Sequence, residues 1–155
     1  MDKEQMEQWK EQAPACGWYI SYLYRRTFTR LLPELKSLGL SGLQSVILVG
    51  IYRNEGTNQK ALAEEIAMAP GAMSRTLREL EDAGYVEKKR DEENRRNYLL
   101  YLTPAGRITA EKSLSIQGDY WSGLLQDLSS QETDELNRML EKMEIRARRE
   151  ETFQG

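Results

Sequence analysis

TNQKALAEEIAMAPGAMSRTLRELEDAGYVEKKRDEENRRNYLLYLT, residues 57–103, holds two short helical patterns, a tight connection between them, and two strand-like runs joined by a charged turn. Thr57 can cap a first helix, in which Leu62 and Ile66 share one face at i, i+4. Ala67-Met68-Ala69 is a small-residue break. Pro70 then suits the first turn of a second helix, where its missing N–H costs nothing. Met73, Leu77 and Leu80 recur at i, i+4, i+7 and give that helix a stripe to bury. Gly84 stands where a left-handed residue would end it.

The opposite face of the second helix carries Gly71, Ala72, Ser74, Arg75 and Arg78. The first three are small and let a backbone come close to another surface. The two arginines can reach phosphates or a guanine edge. Taken alone, the same face could be an ordinary solvated one. The runs that follow, Tyr85 to Arg90 and Arg95 to Leu102, flank a polar tip, Asp91-Glu92-Glu93-Asn94. Lys88, Lys89, Arg90, Arg95 and Arg96 cluster around that tip. A β-wing with arginines beside a reading helix can enter the adjacent minor groove, where the potential is most negative. The competing reading is a solvated hairpin whose charges blunt its edges. Helix and hairpin in this order give a winged helix-turn-helix, a mainly α (α+β) fold that reads double-stranded DNA.

Ordered short motifs extend beyond this stretch. They are Leu38-Gly39-Leu40-Ser41 with Gln44, Leu62-Ala63, Ser74-Arg75, Leu80-Glu81, Gly84-Tyr85-Val86, Asn94-Arg95-Arg96 and Leu102-Thr103-Pro104-Ala105-Gly106. As a set they resemble the signature of the MarR family of bacterial and archaeal transcription regulators. The resemblance runs from about Tyr19 to the end and is most specific from Leu38 to Gly106. One position departs from it. The family's wing usually places Asp before the double arginine, where it braces an arginine; here Asn94 can hydrogen-bond but not ion-pair.

Outward from the reader, residues from about Glu4 to Leu38 form a helical region, with Ala13-Pro14 breaking off an N-terminal arm. Trp18, Tyr22, Leu31, Leu35 and Leu38 mark one apolar face, and Tyr19, Ile20, Leu23, Tyr24 and Phe28 widen it almost all round. Such a helix needs a second surface to bury against, beyond its own domain. Pro33 should kink or end it, and Gly39 terminates it. Ser41 and Gln44 form a capping box that opens a mostly buried helix through Leu43, Val46, Ile47, Val49 and Ile51. Thr103-Pro104 opens a later helix reaching about Leu128, with Ile108, Leu114, Trp121, Leu125 and Leu128 on related faces. Ser129 and Glu132 make a second capping box before a last helix with Leu136, Met139, Leu140 and Met143.

The expected organisation is a single MarR-like domain over 1–155, a reader over 41–103, and dimerisation helices over 15–38 and 104–150. A dimer is the simplest way to bury the apolar faces at both ends, and the resemblance implies helices interlocked across a two-fold axis. Such a dimer presents two reading helices to a pseudo-palindromic operator. Asn58, Gln59 and Lys60, at a helix N-terminus, would hold phosphates.

The 155 residues carry a net charge of −3. Residues 1–57 total +1, residues 58–107 total 0 and residues 108–155 total −4, so any basic surface must come from segregation in space. There is no histidine and one cysteine, Cys16. Intrachain disulfides, Ser-His and Cys-His catalysis are excluded, and a zinc site would need carboxylates almost exclusively. Glu64-Glu65 and Glu92-Glu93 could be read as acid–base pairs, but a helix surface and a turn tip favour solvated charge, so no enzyme and no cofactor are expected. The N-terminus has no signal-like run and the longest apolar run, Val46 to Ile51, is too short to span a bilayer, which points to a cytoplasmic protein without a membrane partner.

The resemblance implies control by a small aromatic or phenolic ligand held between the dimerisation and reading parts. Trp18, Tyr22 and Trp121 are the expected lining, against the plainer reading that they are packing. The expected function is a sequence-specific DNA-binding repressor released by such a ligand. The alternatives are peroxide sensing through Cys16, as in some branches of the family, and a winged helix used only for protein contacts.

Overall fold

A computed structural model describes residues 15–95 and 97–151. The element order is α1 (Ala15–Ser37), α2 (Gly42–Arg53), α3 (Gln59–Glu65), α4 (Pro70–Asp82), β1 (Val86–Arg90), β2 (Tyr98–Leu102), α5 (Pro104–Leu125) and α6 (Ser130–Glu151). The chain divides into two compact units, the first reaching Gln117 and the second starting at Gly118. The helix-turn-helix and the hairpin lie wholly in the first. The mainly α winged helix-turn-helix expected from the sequence is the fold observed.

Local chemistry sets the helix ends. Ser41 Oγ accepts the Gln44 N–H at 3.2 Å and Gln44 Oε1 accepts the Ser41 N–H at 2.8 Å, the reciprocal capping box. Thr103 Oγ1 accepts the Gly106 N–H at 3.0 Å and opens α5. Ser129 and Glu132 cap α6 in the same reciprocal way. The cap of α3 is Asn58, not Thr57: Asn58 Oδ1 accepts the Ala61 N–H at 2.9 Å. Thr57 is instead buried beside β2, where its carbonyl accepts the Leu100 N–H at 2.8 Å. Pro33 does not end α1, which continues to Ser37. Pro33 is exposed, so the carbonyl that loses its N–H partner can turn to water. The arm before Ala15 lies outside the described residues.

The core of the first unit is one apolar cluster. Leu31 and Leu35 of α1, Ile47, Leu48 and Ile51 of α2, Leu62 of α3, and Met73, Leu77 and Leu80 of α4 are buried, with Leu40, Val86, Leu100 and Leu102. α1 and α2 meet at 81°. Leu43 and Val46, expected inside, are exposed at 46% and 39%; they face away from the core that Ile47 and Ile51 fill. α5 buries Gly106, Ala110 and Ser113 instead of the expected Ile108, which is 54% exposed. A Cβ on Gly106 would strike the Tyr85 carbonyl, so small residues on this stripe permit a backbone approach that leucine would block.

β1 and β2 are antiparallel, in register from Val86↔Leu102 to Arg90↔Tyr98. The returning strand starts at Tyr98, so Arg95 rides in the connecting loop and not in the strand. Among the described residues no single helix is long and apolar enough to cross a membrane.

Candidate nucleic-acid interface

α4 is held so that one face is free. Met73 and Leu77 are completely buried, Leu80 and Thr76 nearly so, and Ser74, Arg75 and Arg78 stand on the outside. Among the described residues neither guanidinium makes a hydrogen bond or ion pair. Gly71 is exposed, and a Cβ built there would meet nothing within 4 Å, so the chain's own packing does not demand glycine. Ala72 is half-buried beside it. Pro70 begins the helix as expected, without a side-chain cap at Ala69. Gln44 Nε2 donates to Glu79 Oε2 at 3.0 Å and ties α4 to α2.

The turn before α4 carries strain. Ala67 adopts φ 51°, the left-handed region, and the Met68 N–H closes back on the Ala63 carbonyl at 2.9 Å. Gly84 takes the same place at the end of α4, with the Tyr85 N–H on the Leu80 carbonyl at 2.9 Å. Glycine fits that position without cost and alanine does not.

The wing's basic cluster separates into two groups. Lys88 pairs with Glu81 at 2.9 Å, and Lys89 pairs with Glu87 at 2.9 Å while lying 4.6 Å from the Tyr101 ring centre. The Glu87 hydrogen bond raises the Lys89 ammonium above its ordinary pKa. Arg90 lies over Tyr98, donates to its hydroxyl at 3.5 Å, and lowers that phenol's pKa. Lys88 and Lys89 are therefore partly offset by carboxylates, Lys88 by one on α4, and Arg90 is held over a neutral ring. Arg95 remains at the tip, exposed, with no hydrogen bond or ion pair among the described residues. Arg96 lies outside them. Asp91 braces the tip by accepting the Glu93 N–H at 3.0 Å. Asn58 spends its carbonyl oxygen on the cap, Gln59 is half-buried, and Lys60 is exposed with Glu64 at 3.8 Å.

The residues expected to line a ligand site are placed differently from one another. Trp18 and Tyr22 stack on α1 with ring centres 5.2 Å apart and planes at 14°. Trp121 belongs to the second unit and is 41% exposed. The first unit holds a cavity of about 470 Å³ further along α1, against Tyr24, Phe28, Leu31, Val46, Ala67 and Gln117 among others; Trp18 and Tyr22 do not line it. Sequence reasoning had Tyr24 and Phe28 only as part of a broad apolar face and did not single out Gln117. Phe28 meets Gly42 only in the fold, where a Cβ would collide with the ring, so no local pattern pointed to the cavity. Cys16 is exposed, so it is not a packing residue within the chain.

Comparison with known proteins agrees with this geometry. The family model for the MarR family matches residues 40–98. The HTH-type transcriptional regulator BilQ of Clostridium symbiosum is 31% identical over 126 residues, covering 81% of this chain and 88% of its own. A transcriptional repressor of Mycobacterium tuberculosis is 31% identical over 128 residues, covering 80% and 92%. In fold, a MarR-family regulator from Listeria monocytogenes, solved with a 26mer DNA, superposes with a TM-score of 0.81 at 24% identity, over 84% of this chain and 87% of that one. The chain belongs to the MarR family of helix-turn-helix transcriptional regulators, which bind DNA as homodimers.

Proposed function

We propose that the protein is a cytoplasmic repressor that reads a pseudo-palindromic operator and is released by a small organic ligand. The observation that carries the reading is α4, whose buried stripe leaves Arg75 and Arg78 outward and unpaired beside three small positions. Arg75 and Arg78 act in the major groove, with Gly71, Ala72 and Ser74 allowing close approach. Arg95 and Arg96 act in the minor groove or on its phosphates. Asn58, through its side-chain amide, Gln59 and Lys60 hold the sugar-phosphate backbone. The helices over 15–38 and 104–150 form the dimer and space the two reading helices. No catalytic role is assigned to any residue.

A ligand releases DNA only by binding the released conformation better than the bound one. A tenfold loss of operator affinity needs about 1.4 kcal/mol of such coupling. Selection from random duplex DNA tests the reading. The expected product is an enriched pseudo-palindrome with half-sites roughly 10 bp apart, bound with a steep salt dependence. A pool with no enriched palindrome refutes it. Operator release by peroxide that vanishes in Cys16→Ser would replace the ligand by redox sensing.

A further inference from the structure

The two strands of the hairpin are anchored unequally. β2 is paired on both edges. β1 lies along one; on the other the Gly56 N–H donates to the Leu100 carbonyl at 2.9 Å and the Leu100 N–H to the Thr57 carbonyl at 2.8 Å. β1 is the outer strand, and of its residues only Val86 is buried. Lys88 shares the inner face with Val86, opposite the buried Leu100, and its ammonium pairs with Glu81 of α4 at 2.9 Å. The Lys88 and Glu81 side chains are 30% and 27% exposed, against 58% and 48% for the Lys89–Glu87 pair on the same strand. Salt and water therefore screen the inner pair less than the outer one. α4 is itself fixed from α2, through the Gln44–Glu79 hydrogen bond.

We infer that Lys88 and Glu81 are positioning residues for DNA reading: their pair fixes the outer strand of the wing against α4, and so sets which bases lie under Arg95 when Arg75 and Arg78 occupy the major groove. The inference rests on the reading that α4 enters the major groove and the wing the minor groove. Lys88 is withheld from phosphate. Moving its ammonium there would leave the Glu81 carboxylate bare on the helix that meets the DNA, one turn beyond Arg78, where like charges repel. The intact pair adds no net charge, so it contributes order and not attraction. A wing that swings freely finds phosphates at many positions, and phosphates carry no sequence information. A wing tied to α4 meets the minor groove at one register, where groove width can discriminate.

The test uses the full chain, the duplex that the wild type enriches from a random pool, and a scrambled duplex of equal length and composition. Anisotropy titrations at several salt concentrations give both affinities and their salt slopes. Glu81→Gln keeps the shape and frees the ammonium. Its affinity for the scrambled duplex should rise, with a salt slope steeper by up to about two per dimer, one for each freed Lys88. The ratio of operator to scrambled affinity should fall about tenfold, the worth of one base preference. Selection with this variant should keep the bases read by α4 and lose those flanking them. The exchanged pair, Glu81→Lys with Lys88→Glu, should recover both the ratio and the flanking bases. An unchanged ratio in Glu81→Gln overturns the inference, and so does a proportional loss on both duplexes, which a merely destabilised fold would give. Operator affinity lost on exchange, with a salt slope shallower by about two, would make Lys88 a phosphate contact and overturn it as well. A wild type that enriches no duplex refutes the operator reading, and this inference with it.

Discussion

Among the described residues Ala67 is the one non-glycine in the left-handed region. A left-handed alanine costs about 1–2 kcal/mol against a right-handed one, and glycine escapes most of that cost. Glycine also adds freedom to the unfolded chain, which offsets about 0.4–1 kcal/mol. Ala67→Gly should therefore stabilise the first unit by up to about 1 kcal/mol, read as a shift of the urea midpoint with an unchanged slope. A loss of stability would show that the Ala67 methyl group packs usefully in the cavity wall. At the interface, Arg75→Ala should cost about 1–3 kcal/mol of operator binding and relax preference at one base pair. Lys60→Ala should weaken all sequences alike and reduce the salt slope by about one. Equal behaviour of the two variants would place Arg75 on phosphate and not on a base.

The root of the wing is the element most dependent on tertiary contacts. Glu55 Oε1 accepts the Leu102 N–H at 3.0 Å, and its second oxygen pairs with Arg107, which lies over the Tyr52 ring. The Leu102 hydrogen bond is the largest cause holding the Glu55 carboxyl below its ordinary value; Arg107 adds to it and partial burial opposes it. A depressed carboxylate contributes stability that is present above the ordinary glutamate range and lost as pH falls through the folded value. The urea midpoint should therefore drop as pH falls below the ordinary glutamate range, and Glu55→Gln should flatten that drop. An unchanged acid limb in the variant would move the effect to other carboxylates. Gly106 guards the same junction. A Cβ there would occupy the space of the Tyr85 carbonyl, which accepts the Thr103 N–H at 3.0 Å. Gly106→Ala should cost roughly 1–3 kcal/mol and show in calorimetric melting. A neutral result would mean that α5 can shift outward freely.

For the whole molecule, the exposed apolar surface is the dominant fact. Tyr24 on α1 is 67% exposed, with Tyr19, Tyr22 and Leu23 beside it; in the second unit Met139, Leu140, Met143 and Ile145 are all above 40%. So much apolar surface on both units is the mark of a chain completed by a second copy. Light scattering of the full chain should give the dimer mass at all workable concentrations. Deletion from Ser130 onward should give an aggregating or unstable chain. A stable, monodisperse monomer would contradict the dimer's role in spacing the two reading helices.

Much of this architecture was legible in the sequence because it rests on local rules. The Met73, Leu77 and Leu80 stripe, the Pro70 start, the Gly84 stop and the serine caps each depend on neighbours within a turn or two. Segregated charge on α4 followed from the same period, since burying one stripe exposes Arg75 and Arg78 by geometry. The cavity was not legible. Its wall joins Phe28, Val46, Ala67 and Gln117, which are far apart in sequence and meet only when α1 and α2 cross at 81°. That Lys88 and Arg90 are held while Arg95 stays exposed at the tip also needed three dimensions, because Glu81 reaches Lys88 from another element and Tyr98 reaches Arg90 across the strand pair. The buried stripe of α5 escaped for a related reason. Periodicity finds large apolar residues, whereas Gly106, Ala110 and Ser113 are buried because a backbone comes close, and no local pattern reports that. The sequence determined the elements and the reading face; the tertiary structure alone decided which charges stay unpaired and where a ligand can sit.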